Sequence, residues 1–328
     1  MTAAWLLVLP LLGSNSAWSL PSSGMVHEVS SLKTLTGEEL LRIGELHDRQ
    51  RHFPETLTYY ELALASFREH KQMSGAATAL KKIASVYERQ GRLQNAYAAL
   101  EEAVSIFAQS SDKLAYAGAL LARGRVSAKL GQFGEAHGSL IEALDLFEQA
   151  KERQGWNEAS VQLGLVQVDE GSIQQGLSSL QQAREDARAR HDRHQQLAAV
   201  VALGSVYGAL DQTDKARPYY KEGLNLAESE RNMTLEAALR LRLAYLHTED
   251  GQFKEGLEMA KRGLLLSQTL RDTATEAATL TLLADLYRKM GRIDEAEDSA
   301  RRALSIYRGR QIFVHGSRES PSEALPNH

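Results

Sequence analysis

Residues 80–107 read LKKIASVYERQGRLQNAYAALEEAVSIF, and this stretch decides the fold. Leu80, Ile83 and Val86 before Gly91, and Leu93, Leu100, Val104 and Phe107 after it, recur at helical spacing, so each side predicts one amphipathic helix. Gly91 can take the left-handed conformation that ends the first of them. Short residues, Ala84, Ala96 and Ala103, stand in fixed phase with the bulky ones.

That phase returns every 40 residues without an insertion. One column reads Gly44, Ala84, Gly124, Gly164, Gly204, Ala244 and Ala284; a second reads Thr56, Ala96, Ala136, Gly176, Ala216, Gly256 and Ala296; a third reads Ala63, Ala103, Ala143, Ala183, Gly223, Gly263 and Ala303. Two helices approach closely only where side chains are short, with larger residues filling the flanking grooves. The column Phe53, Leu93, Phe133, Ile173, Thr213, Phe253 and Ile293 supplies that bulk in all but one repeat. Gly91, Gly131, Gly171, Gly251 and Gly291 separate the helices of a pair, with Asp211 and Arg51 at the same place in two repeats. Asp tolerates the left-handed conformation and Arg51 predicts an altered turn. The expectation is an all-α chain, a right-handed α-α superhelical solenoid of seven helix-turn-helix repeats over residues 37–308.

Composition agrees and excludes several functions. With 43% hydrophobic and 24% charged residues and only 6 Pro, the chain is suited to packed helices and not to disorder. A net charge of −4 gives no overall attraction to nucleic acid. No cysteine is present, which removes disulfides, thiolate metal sites and cysteine nucleophiles. The sequence contains no GxSxG, P-loop or GxGxxG, so no enzyme and no cofactor is expected. His191-Asp192-Arg193-His194 has metal-binding residue types in a loop after repeat four, with no third histidine close in sequence. Asn232-Met233-Thr234 is a glycosylation triplet between repeats five and six.

The short residue at the eighth position, the aromatic three later at Tyr87, Tyr207 and Tyr287, and the Gly, Ala and Ala that follow resemble the tetratricopeptide repeat. The usual period is 34. The longer unit here is similar to the repeats of the LGN/Pins adaptors, kinesin light chains and bacterial peptide-sensing regulators, which bind peptides or proteins. His47, Ser127, Gln167 and His247 replace the aromatic in four repeats.

By that resemblance the first helix of each repeat lines a concave groove. Its second, fifth, ninth and twelfth places supply Lys81, Ser85, Leu121, Arg125, Val161, Leu165, Val201, Ser205, Leu241, Tyr245, Asp285 and Arg288 as candidate partner-binding residues. The groove then has charged walls and an apolar centre, suited to a peptide or protein segment with apolar anchors. Chaperone-binding members use a clamp of Lys, Asn, Asn, Lys and Arg. The ninth places here are Glu45, Ser85, Arg125, Leu165, Ser205, Tyr245 and Asp285, with no Asn, so that ligand is not expected. The implied role is a non-catalytic interaction scaffold or adaptor, with no nucleic acid and no small-molecule cofactor.

The ends are read separately. Residues 1–19 carry the apolar run AAWLLVLPLLG and a small-x-small pattern ending at Ser19. They read as a signal peptide, implying export, or as an uncleaved apolar extension, in which case the chain is cytoplasmic, with Met25 an alternative start. Residues 20–36 read as a linker and 309–328 as a polar, disordered tail. Solenoid ends need a cover, and after Tyr307 only Ile312, Phe313 and Val314 are apolar together: that triplet folds back over repeat seven, another chain covers the end, or the end stays partly wet. A structural assembly protein that self-associates through its terminal repeat is therefore the alternative function.

Overall fold

The computed structural model describes residues 35–50 and 52–315, with side chains through residue 308. The readings of residues 1–34, Arg51 and 316–328 lie outside the described residues. Among the described residues there are fourteen helices and no strand, in two compact units divided in the sequence between Arg92 and Leu93. The first unit contains α1 (Gly37–Arg49), α2 (Phe53–Glu69) and α3 (Met73–Arg89). The second contains α4 (Leu93–Ala108), α5 (Lys113–Lys129), α6 (Phe133–Gln149), α7 (Arg153–Asp169), α8 (Ile173–Ala189), α9 (Arg193–Ala209), α10 (Thr213–Ser229), α11 (Met233–Glu249), α12 (Phe253–Thr269), α13 (Thr273–Lys289) and α14 (Ile293–His315). The odd-numbered helices are the first helices of the repeats.

The 40-residue period expected from sequence is the period of the helix pairs, since single helices begin every 20 residues from Phe53 to Ile293. Within each unit every helix packs against the one before and the one after it. In the second unit, α5, α7 and α9 also touch side by side, as do α11 and α13, whereas no direct contact of this kind joins α9 to α11.

The short-residue columns mark the closest approaches. A Cβ added to Gly164 on α7 would lie 2.8 Å from Leu180 Cγ and 3.0 Å from the Gly176 carbonyl oxygen on α8, and one on Gly204 would lie 2.7 Å from the Tyr220 ring. Successive repeats fit by size as well. The rings of Phe67 and Phe147, near the ends of α2 and α6, sit where a Cβ on Gly75 or Gly155 of the next first helix would come within 2.5 Å of them. Where that column carries Ala187, Ala227 and Ser267, the corresponding partners are the larger Gln195, Leu235 and Thr275.

The turns follow from capping chemistry. Asp211 has φ of +56°, as expected of the residue replacing glycine, while Gly91 has +73°. The turns between repeats use the same conformation at Lys71, Lys151, His191, Arg231 and Arg271, which sequence did not announce because none is glycine. Backbone bonds hold it there: His191 N donates to Arg188 O at 3.0 Å and Asp192 N to Ala187 O at 2.9 Å. The next residue caps the following first helix. Asp112, Glu152, Asp192, Asn232 and Asp272 each accept a backbone N–H at the start of α5, α7, α9, α11 and α13, at a cost of about 1 kcal/mol if replaced by Ala. Asp192 and Asn232, weighed above as a metal ligand and a glycan acceptor, thus have a structural role. Among the described residues no three His, Asp or Glu side chains are grouped as a metal site.

The final helix differs from the sequence reading, which ended the repeats at 308: α14 continues to His315. An isolated glycine is tolerated within a helix, and after Gly309 the next glycine is Gly316. Among the described residues no helix is long and apolar enough to cross a membrane.

Candidate partner-binding face

The first helices are buried on one side and open on the other, and the candidate residues divide between these sides. Leu121 on α5 and Val161 on α7, 6% and 5% exposed, are corrected from the groove to the interior. Val161 belongs to one packed cluster with Leu177 on α8 and Leu197 and Ala202 on α9. Side-by-side packing of α5, α7 and α9 closes the fifth position of the repeat at these two places.

The remaining residues of the second unit stay accessible. Leu165 and Val168 on α7 and Val201 on α9 rest on that same cluster while remaining part exposed. Ser205 on α9 and Leu241 on α11 are part exposed, and Tyr245 on α11 is 52% exposed. The columns 165, 205, 245 and 201, 241 place them on one side of their helices. Leu121 and Val161 lie on helices with a contacting first helix after them, and Val201 lies on α9, which has no such contact with α11; Leu241 stays part exposed although α11 touches α13.

On either side of this uncharged stretch, the charges are engaged with one another. Arg125 on α5 pairs with Glu158 on α7 at 3.5 Å. At the other end Asp285 on α13 accepts from Arg288 at 2.9 Å and lies 3.3 Å from Lys289, which reaches Glu249 on α11 at 3.7 Å. Burial works against ionisation of Asp285, but the hydrogen bonds from Arg288 and Lys289 outweigh it and hold its carboxyl below the usual range. In the first unit, Lys81 and Ser85 lie part exposed on α3. Lys82 pairs with Glu45 of α1 at 2.7 Å, and Arg89 pairs with Asp48.

Sequence reasoning missed Lys82, Arg89, Glu158, Glu249 and Lys289. Their signal was present in charges of opposite sign about one repeat apart, which fall on adjacent first helices. Partly exposed pairs of this kind contribute little stability, about 0–1 kcal/mol each, and they leave the uncharged stretch as the surface that gains most by being covered. Two cavities lie away from it. One of about 470 Å³ is lined by residues of α12, α13 and α14, including Lys261, Tyr287 and Arg302; the other, of about 570 Å³, lies at the turns around Ser172 and Leu210.

Helix pairs packed one on the next in chain order within each unit define a helical-repeat protein. Tetratricopeptide-repeat family models match residues 75–149, 197–230 and 235–309, together more than half of the chain. The chain belongs to the tetratricopeptide-repeat superfamily. No curated protein matches it significantly. Among solved structures it is similar to BtubC from P. vanneervenii (17% identity, TM-score 0.59, covering 72% of this chain and 97% of that one). It is also similar to a Rap protein complexed with competence and sporulation factor (19%, 0.62, 88% and 80%). A third is the Rap conjugation gene regulator of plasmid pLS20 in complex with a Phr peptide (16%, 0.60, 94% and 82%). At these identities the likeness is one of fold.

Proposed function

We propose that this chain is a non-catalytic interaction scaffold that holds a peptide or protein segment along its first-helix face, with apolar side chains of the ligand over α7, α9 and α11. The observation that carries this reading is the contrast along the face: charges engaged with one another at both ends, and between them Leu165, Val201, Leu241 and Tyr245 only partly covered. Covering such a row removes apolar surface from water without stripping a charge of its partner. Two of the structural relatives were solved with a peptide bound, which supports the ligand class.

Panning a random peptide display library on the full chain tests it. Recovered peptides should carry apolar anchors, and Leu165→Asp and Tyr245→Asp should each weaken them about tenfold or more, roughly 1.4 kcal/mol. Leu265→Asp, at a 65% exposed position on α12, should leave affinity unchanged. Peptides that respond to Leu265 and not to Leu165 or Tyr245 would move the ligand surface to the second helices.

A further inference from the structure

Both ends of the described array are bare at register positions that inner junctions close. The column of Leu46 continues as Val86, Val126, Val166, Val206, Leu246 and Leu286. Those six are at most 4% exposed, and Leu46 on α1 is 58% exposed. The column of Tyr307 runs back through Ser267, Ala227, Ala187, Phe147 and Phe107 to Phe67. Those are at most 5% exposed, and Tyr307 on α14 is 44% exposed. Leu304, one turn earlier, is 47% exposed where Val104 and Leu224 in its column are 7%.

The two columns are halves of one interface. Val86 on α3 packs with Tyr60 on α2, and Leu246 on α11 shares a cluster with Tyr220 and Leu224 on α10. A second helix offers one half and the following first helix offers the other. Leu46 on α1 stands at the position of one half, Leu304 and Tyr307 on α14 stand at positions of the other, and all three are exposed.

We propose that a second copy of this chain supplies the complement: α1 of one copy docks on α14 of another, reproducing an inner junction head to tail. Charge agrees, since Arg301 and Arg308 are exposed on α14 while Glu38 and Glu39 are exposed in the first turn of α1. Inside the chain Gln268, at the register position of Arg308, donates to Glu276 in the first turn of α13 at 3.0 Å, where α1 has Thr36 in that register. α1 has 13 residues where α3 has 17, and Leu35 just before it holds the register position of Gly75 and Gly155. Such a contact joins unlike surfaces, so it propagates beyond a dimer unless the copies close into a ring. It uses none of Leu165, Val201 or Tyr245 and stands independently of the scaffold reading.

Sedimentation equilibrium of the full chain over a range of concentrations tests this. The weight-average mass should rise above the 36.2 kDa of one chain. Leu46→Asp, and separately Leu304→Asp with Tyr307→Asp, should each return the chain to a monomer. Because these positions are exposed, circular dichroism and melting should match the parent and confirm folding. An equal mixture of the two variants should form dimers and nothing larger, since only one sound surface of each kind remains. A parent that stays monomeric at every concentration, as when a segment of its own chain covers the ends, would overturn the proposal. So would variants that associate like the parent, or a mixture that stays monomeric.

Discussion

On the central first helices, neighbouring residues serve different purposes. Gly164, Gly204 and Ala244 are buried against the paired second helix, while the next residues, Leu165, Ser205 and Tyr245, remain accessible. Arg240 and Leu241 repeat the contrast, the arginine 6% exposed and the leucine part exposed. A helix turns about 100° per residue, so one step along the chain passes from the side that holds the repeats together to the side that can be exchanged. The contrast teaches that the outer surface of these helices can change without the fold changing, provided substitutions keep to the outer side.

The strongest way to break that contrast is at Arg240, whose guanidinium bonds Glu236 at 2.8 Å and Glu228 at 2.6 Å in a column that is apolar in most repeats. Glu236→Gln should cost about 3 kcal/mol in urea unfolding, the low end for a broken buried pair because Glu228 remains, while Arg240→Leu combined with Glu236→Leu should be nearly neutral or stabilising. Equal losses in the two variants would mean that the arginine is held for its packing. Next in size, Gly176→Val should cost about 1–3 kcal/mol from overpacking. Its added carbon would press on Val168 Cγ2 at 2.6 Å and still closer on the Gly164 carbonyl oxygen, and backbone cannot swing aside. Leu165→Ser, one residue from the other end of that contact, should cost about 1 kcal/mol or less.

The smallest effect concerns pH. On the second helices Tyr97 is pushed up to about 12, first by burial and then by its hydrogen bond to Glu135. A raised phenol favours the neutral form in the folded chain, so its contribution is intact below about pH 10 and is lost as pH climbs towards 12. Asp285, held low on the outer side, has the opposite sign: its contribution is present above the ordinary carboxylate range and is lost on acidification. Thermal melts of Tyr97→Phe should therefore lose part of the alkaline slope and keep the acid one; an unchanged alkaline slope would assign it to another group, such as Tyr60, itself raised to about 12.

Much of this was legible in the residues. Short side chains at Gly164 and Gly176 need no knowledge of the neighbours to imply close approach, because only a helix pair in contact demands them at fixed phase. Accessible candidates such as Tyr245 and Ser205 followed from the same register. Leu121 and Val161 did not: they occupy the repeat position of Val201 and Leu241, and what covers them comes from other helices, which the repeat pattern does not carry. The pairing of Arg125 with Glu158 was hidden for a similar reason, since charges 33 residues apart become neighbours only once two repeats are stacked.

The sequence alone determined the helices, their 40-residue period and the seams between them, because those rest on local periodicity and on side-chain size at single positions. Tertiary structure alone decided which outward residues remain open, which charges neutralise each other, and that Leu46 and Tyr307 stand bare where their counterparts are covered. Exposure and pairing are properties of distances between elements, and no single repeat contains them.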